Sequence, residues 1–337
     1  MSTEMNSRRR YMAALVFLLS SAPAAAKPAD VASAGPSPTP MQDALTALQR
    51  RIEAEQQRLA RIPTPVAVRW KGKKLVTVDV SPDIAAVAVA DLNHNGRAEI
   101  FVAGNNAVAV IELQRVPKVV ASVRFTDPLL RRSRQNVGSA LLQDASIVVQ
   151  VTSHALPLTI TWDGQNYAGA AGSPALFQFC SDRALPLVAG RNWFDTGAIG
   201  QGVYTELCRN DLADAQGHLP SLVVSVSERD QLRVETRPHC DEACGDAQVY
   251  TVPSVGYAVA IDDVDQNGIA EVYSTAAMAN ADVVNVTELG PAPRALWKRK
   301  FTSGVVALAT GDFDGDGRRD VWALVRAGRR VEVWSLQ

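Results

Sequence analysis

Gly311-Asp312-Phe313-Asp314-Gly315-Asp316-Gly317-Arg318-Arg319-Asp320 carries carboxylates at the first, third, fifth and ninth positions counted from Asp312, and a glycine at the sixth. Alternate acidic side chains on a tight loop, with glycine where the backbone turns sharply, are what a hard, oxygen-seeking cation requires. The flanks decide what kind of loop this is. An EF-hand needs a bidentate Glu at position 12 and a helix on each side. Here the last acid falls at position 9, and the flanking runs, Val305 to Thr310 and Val321 to Val325, read as strands. The unit is therefore strand, calcium loop, strand.

The same unit occurs twice more. Asp91-Leu92-Asn93-His94-Asn95-Gly96-Arg97-Ala98-Glu99 follows the apolar run 84–90 and precedes Ile100 to Ala103. Asp263-Val264-Asp265-Gln266-Asn267-Gly268-Ile269-Ala270-Glu271 follows 256–261 and precedes Val272-Tyr273. All three fit D-x-[DN]-x-[DN]-G-x-x-[DE]. One copy could be a solvated acidic turn, whereas three with matching flanks form a repeat. On these loops the chain resembles the FG-GAP (VCBS-type) repeats of the integrin alpha-subunit β-propeller and its bacterial relatives.

The resemblance implies an all-β fold, a β-propeller of four-stranded blades over residues 65–337, with Ca2+ in the loops. It implies that the first, third, fifth and ninth side chains bind the ion and that the seventh residue adds its backbone carbonyl. The ligand sets are then Asp91, Asn93, Asn95 and Glu99 with the Arg97 carbonyl; Asp263, Asp265, Asn267 and Glu271 with the Ile269 carbonyl; and Asp312, Asp314, Asp316 and Asp320 with the Arg318 carbonyl. Their side-chain charges are −2, −3 and −4, so Coulomb attraction ranks affinity in the order third, second, first.

Blade number follows from aligning the strand after each loop. Starting points at Glu99, Ser146, Leu185, Ser221, Glu271 and Asp320 are separated by 47, 39, 36, 50 and 49 residues. The mean, about 44, suits one four-stranded blade. About six blades are expected, although drift over 112–220 leaves five or seven open. The loops of the second, third and fourth units (142–145, 181–184 and 211–217) have the wrong length or spacing for an ion. The last unit shows three strands, Val305–Thr310, Val321–Val325 and Val331–Ser335. Lys74 to Val80 is the candidate fourth, a clasp that would remove two exposed edges.

The N-terminus reads as a signal peptide over 1–26. Arg8-Arg9-Arg10 precede a short apolar run, Tyr11 to Leu19, and Ala24-Ala25-Ala26 forms a cleavage site. An ordinary export signal is preferred to a twin-arginine one. No later apolar stretch is long enough to span a bilayer. The protein is expected to be periplasmic or secreted. Its formal net charge of −1 becomes about −3 once one Glu and three Arg leave with the signal, which offers nothing to nucleic acid.

Residues 27–40 form an Ala/Pro-rich linker. An amphipathic helix over 41–62 follows, with Thr39 placed to cap it, Pro40 suited to its first position and Gln42 completing a capping box. Leu45, Leu48, Ile52, Leu59 and Ile62 mark a heptad stripe with Glu55 at a seam position. Two readings are open: a helix lying on the body of the protein, which is preferred, or a weak coiled coil joining subunits. Four cysteines fit an oxidising compartment. The alignment sets Cys180 and Cys208 at like positions of consecutive units, hence Cys180–Cys208 and Cys240–Cys244, with zinc at the His239–Cys244 segment as the rival.

No catalytic constellation is visible. His94 sits at a non-ligand place in the first loop, His154, His218 and His239 are scattered, and no G-x-S-x-G motif occurs. The tryptophans 70, 162, 193, 297, 322 and 334 include candidates for sugar stacking. Core packing is the preferred reading for Trp322 and Trp334, and Trp193, in a Gly-rich stretch, is the best candidate for a contact surface. The resemblance implies a binding module for adhesion or assembly, its partner a protein or glycan of the envelope or extracellular surface. A lectin-like propeller is the first alternative and a polysaccharide hydrolase or lyase the second.

Overall fold

A computed structural model describes residues 40–127, 138–143, 145–151, 153–172, 205–209, 221–226, 231–237, 248–253, 258–276, 281–290 and 292–337. The expected signal peptide, the expected linker as far as Thr39, Trp193, the expected third and fourth degenerate loops, Cys180, Cys240 and Cys244 lie outside these residues. The backbone of Cys208 lies in a strand.

Helix α1 (Pro40–Arg61) starts at the proline suited to its first turn. Its apolar residues keep much of their own surface. Leu45, Leu48, Ile52, Leu59 and Ile62 keep 58%, 53%, 39%, 53% and 37% of their surface.

Everything else described is β. The strands are β1 (Lys73–Val78), β2 (Ala86–Ala90), β3 (Glu99–Ala103), β4 (Ala107–Leu113), β5 (Pro117–Arg124), β6 (Gly138–Gln143), β7 (Ser146–Val151), β8 (Leu158–Trp162), β9 (Tyr167–Ala171) and β10 (Thr205–Arg209). They continue with β11 (Ser221–Val226), β12 (Gln231–Arg237), β13 (Gln248–Pro253), β14 (Val259–Asp262), β15 (Glu271–Thr275), β16 (Asp282–Glu288), β17 (Arg294–Phe301), β18 (Val305–Gly311), β19 (Asp320–Ala327) and β20 (Arg330–Ser335).

These form five antiparallel four-stranded sheets: β2-β3-β4-β5, β6-β7-β8-β9, β10-β11-β12-β13, β14-β15-β16-β17 and β1-β20-β19-β18. Five of the six aligned starting points are the first residues of second strands, namely Glu99, Ser146, Ser221, Glu271 and Asp320. The sixth, Leu185, lies outside the described residues. The segment expected to supply the missing fourth strand does so. Strand β1 pairs antiparallel with β20, Lys74 opposite Trp334 and Val78 opposite Val331. Lys74 Nζ lies 2.6 Å from Glu332 across that pair.

First strands lie next to first strands, in the order β10, β14, β18, β2, β6. Small side chains allow this. Ala86, Ala88, Ala90, Ala258, Ala260, Ala307 and Ala309 are all buried. At Gly311 a Cβ would come 2.9 Å from Val89 and 3.2 Å from Ala98 of the neighbouring sheet, which a larger residue could not occupy.

Second strands β3 and β15 are buried on both faces, as the unbroken burial of Glu99–Ala103 and Glu271–Thr275 shows. The period of two divides each strand between two cores. Phe101 and Ala103 pack with the second sheet, Ile100 and Val102 with the fifth. Trp322 and Leu324 share that second core, while Val321, Ala323 and Val325 pack with Tyr273, Val284 and Val286 of the fourth sheet. Trp322 is thus core, as expected. Trp334 is partly buried, edge-on to Phe301 at 5.4 Å with the Arg299 guanidinium 5.0 Å from its ring.

One polar clamp joins the first and second sheets. His154 stacks on Phe125 with centroids 4.2 Å apart. Its Nδ1 lies 3.0 Å from Asp127 Oδ1 and its Nε2 2.9 Å from the Asn105 carbonyl. The other Asp127 oxygen accepts from the amides of Ala155 (2.7 Å) and Leu156 (3.2 Å). Burial pushes the Asp127 carboxyl up, but these amides and His154 outweigh it and hold the group below the usual carboxylate range. A depressed carboxylate contributes stability above its unfolded-chain value and loses it as pH falls through its folded value. We expect Asp127→Asn to cost on the order of 1 kcal/mol at neutral pH. Denaturant titrations at about pH 6 and about pH 3 should show this difference shrinking at the lower pH. A difference independent of pH would mean that the charge on Asp127 contributes nothing.

Candidate metal centres

Each loop joins the first and second strands of its sheet: β2 to β3, β14 to β15, β18 to β19. Local chemistry folds all three alike. Both oxygens of the first carboxylate are bound by loop amides. Asp91 accepts from Asn95 N (3.0 Å) and Gly96 N (2.9 Å), and Asp263 from Asn267 N (3.0 Å) and Gly268 N (2.9 Å). Asp312 accepts from Gly315 N (2.7 Å) and Gly317 N (2.9 Å). The third side chain accepts from the amide of the fifth residue: Asn93 at 3.0 Å, Asp265 at 3.1 Å, Asp314 at 3.1 Å. The fifth accepts from the amide of the seventh: Arg97 N to Asn95 at 2.8 Å, Ile269 N to Asn267 at 2.7 Å, Arg318 N to Asp316 at 2.8 Å. The ninth accepts from the second: Leu92 N to Glu99 at 2.8 Å, Val264 N to Glu271 at 2.9 Å, and Phe313 N to Asp320.

These bonds turn the alternate side chains inward. In the second loop Asp263, Asp265 and Glu271 offer oxygens within 4.8 Å of one another, and in the third Asp312, Asp314 and Asp316 do so. Asp320 is not part of that second triad. The first loop has only two carboxylates, Asp91 and Glu99, beside Asn93 and Asn95.

Sequence reasoning credited glycine only at the sixth position. There Gly96, Gly268 and Gly317 have φ of 83°, 84° and 80°. The fourth position is left-handed too: His94 at 56°, Gln266 at 54° and Gly315 at 80°. The signal was present as Gly315, and His94 is a backbone position in an unusual conformation rather than a ligand. Two further acids were missed. Glu112 on β4 accepts from Asn95 Nδ2 at 2.7 Å, and Glu288 on β16 accepts from Asn267 Nδ2 at 3.1 Å. Glu288 stands directly across the ladder from Glu271 and also binds Arg294 at 3.0 Å. Only strand register, which the sequence does not print, brings these acids to the loops. Asn93 donates from Nδ2 to Tyr167 Oη of the second sheet at 2.9 Å.

A cation fits this donor set. Glu99 and Glu271 are fully buried, and in each one oxygen, Oε1, has no hydrogen-bond partner while Oε2 accepts an amide. A buried carboxylate oxygen without a partner is costly. Without an ion the loops respond by favouring protons. Burial first, then neighbouring acids, push Glu271 up to about 9 and Glu99 to about 7. The same causes raise Asp263 and Asp320 to about 6. Calcium, with six to eight oxygen ligands, would take the oxygens that now lack donors.

The loops also touch their neighbours. Ala98 N, in the first loop, donates to the Asp312 carbonyl of the third at 2.7 Å. A Cβ on Gly315 would lie 3.1 Å from Arg97 Cγ and 3.2 Å from the Gly96 carbonyl. Val66 N donates to the Asp265 carbonyl of the second loop at 2.6 Å.

No protein-family model matches this chain, and no curated protein matches it significantly.

Two substitutions test the fit. Glu271→Gln keeps shape and amide contacts but removes the charge. We expect it to melt no earlier than the parent chain in chelator and to lose part of the calcium-dependent rise in melting temperature. Asp314→Ala should lower the melting temperature in calcium more than Asn93→Ala, because it removes charge from the more acidic loop. Differential scanning fluorimetry with calcium and with chelator reads both, and identical small shifts under both conditions would count against metal in these loops.

Proposed function

We propose that this chain is an exported β-propeller, stabilised by calcium in its three acidic loops, that serves as a binding module for a protein of the cell envelope or extracellular surface. The observation that carries the reading is the shared bonding scheme of the three loops, in which buried Glu99 and Glu271 each leave one oxygen without a partner and Asp263, Asp265 and Glu271 offer oxygens close enough to share an ion. The serial contact of first strands, β10 to β14 to β18 to β2 to β6, supports blades arranged about an axis. The N-terminal strand β1, supplying the outer edge of the last sheet, supports a ring held by both ends of the domain.

In this reading Asp91, Asn93, Asn95 and Glu99, and their counterparts in the other two loops, hold calcium. Bound calcium would neutralise the facing carboxylates and so fix the loop between first and second strands. Its role is structural. A site of about 10 µM affinity in about 1 mM calcium adds roughly 2.7 kcal/mol to folding. In a chain of this size that raises the melting temperature by on the order of 5 °C. The residues around the loops bind and orient, and none is assigned a chemical step. Fold likeness alone does not name the partner.

The test is a capture experiment paired with calorimetry. Immobilised protein is exposed to envelope extract of its source organism, with calcium and then with chelator, and calcium is titrated into the free protein. We expect calcium uptake with release of protons, and one specific protein retained only in calcium. Retained polysaccharide in its place would replace the partner class with a glycan. Absence of calcium uptake would overturn the metal reading itself.

A further inference from the structure

We propose that helix α1 pairs with the same helix of a second copy of this chain, as an antiparallel two-stranded coiled coil. The proposal stands on the helix alone and is independent of the calcium reading. Leu45, Leu48, Ile52, Glu55, Leu59 and Ile62 follow one another at three, four, three, four and three residues. This is a repeat of 3.5, which an underwound helix can keep facing one straight partner only if that partner is another helix, through knobs into holes. Against the pleated surface of a sheet no such periodicity is required. The five apolar members of the set are all exposed. The helix has 22 residues, a length of about 33 Å, and its stripe begins at Leu45 and reaches Ile62, one residue past the helix end. A second copy of this chain brings a helix of identical pattern, whose Arg51 can meet Glu55 across the pair.

Charge decides the orientation. Glu55 is the one polar residue of the set, and it holds Arg58 of its own helix at 2.6 Å. In a parallel pair Glu55 would face Glu55 of the second copy across the seam, two like charges in the least hydrated part of the interface. An antiparallel pair with Leu45 opposite Ile62, Leu48 opposite Leu59 and Ile52 opposite Glu55 separates them. Each Glu55 then lies beside Ile52 and within one turn of Arg51 of the second copy. The carboxylate is flanked by one arginine from each helix. A single polar residue at a core position fixes register in this way at a cost in stability. The dimer is accordingly weak and concentration-dependent.

Sedimentation equilibrium of the exported chain, over roughly two decades of concentration about 10 µM, tests the proposal. We expect the mass to rise from one chain to two. Leu48→Glu combined with Leu59→Glu should weaken association at least tenfold while leaving the melting of the β-sheets unchanged. Glu55→Leu, which makes the stripe continuous, should tighten it about tenfold. Arg51→Glu and Glu55→Arg chains should each associate less than the parent, and an equimolar mixture of the two should associate more than either alone. A monomer at every concentration, an association indifferent to the two leucine changes, a trimer, or a mixture no better than its components would each overturn the proposal.

Discussion

The constraint on which the β-structure turns is a carboxylate carried into a strand that is buried on both faces. Glu99 opens β3 and Glu271 opens β15, and neither leaves any surface to water. A charge so placed needs compensation, and the nearest amides reach only one of its two oxygens. The other has no hydrogen-bond partner. Tyr273 adds a hydrogen bond to Glu271 at 3.0 Å, but to the oxygen that is already bound. The loop therefore has two ways to settle, a proton or a cation. The choice is felt by the whole sheet because the same residue begins the strand that two cores share.

The loops are also not independent of one another. The first and third belong to adjacent sheets whose first strands run side by side, and they meet through Ala98 N and the Asp312 carbonyl. Gly315 rests against Gly96 and Arg97, so a shift of either loop is transmitted directly to its neighbour. Together the two carry six formal negative charges on their ligand side chains, with Arg97 at their contact. An ion in one loop would lower the repulsion that the other must bear and would fix the backbone on which it rests. The second loop is tied instead to the segment before β1, through Val66. Ions held in these loops would tie sheets together as well as fix turns within them.

Much of this was legible in the sequence because it is local. Residue type at odd positions of the loop fixes the amide bonds, and the alignment of acidic loops located second strands to the residue at Glu99, Glu271 and Asp320. The clasp was legible because a unit lacking a strand and a spare strand-like run elsewhere have only one economical pairing, which β1 and β20 make. What was not legible depends on register or on burial. Glu112 and Glu288 reach the loops from third strands, and no spacing along the chain announces it. The left-handed backbone at His94 and Gln266 was hidden because neither residue is glycine. The helix was legible as a helix, but whether its stripe was covered is a property of the fold rather than of the pattern. His154 looked like one scattered histidine of four, because Asp127 and Asn105 come to it from a different sheet.

The placement of the acids explains why the inner strands are so poor in bulk. Alanines on β2, β14 and β18 let first strands approach closely, and close approach is what brings the first loop onto the third. Gly311 is the limiting case. It lies between Val89 and Ala98, immediately before Asp312 of the third loop. A side chain there would force the sheets apart at the point where the Asp312 carbonyl accepts the amide of Ala98, and would displace Asp312 together with the neighbouring loop. Small residues in the core and carboxylates in the loops are thus one requirement rather than two. The sheets must be near enough for the loops to share contacts, and the loops must be neutralised for the sheets to remain near.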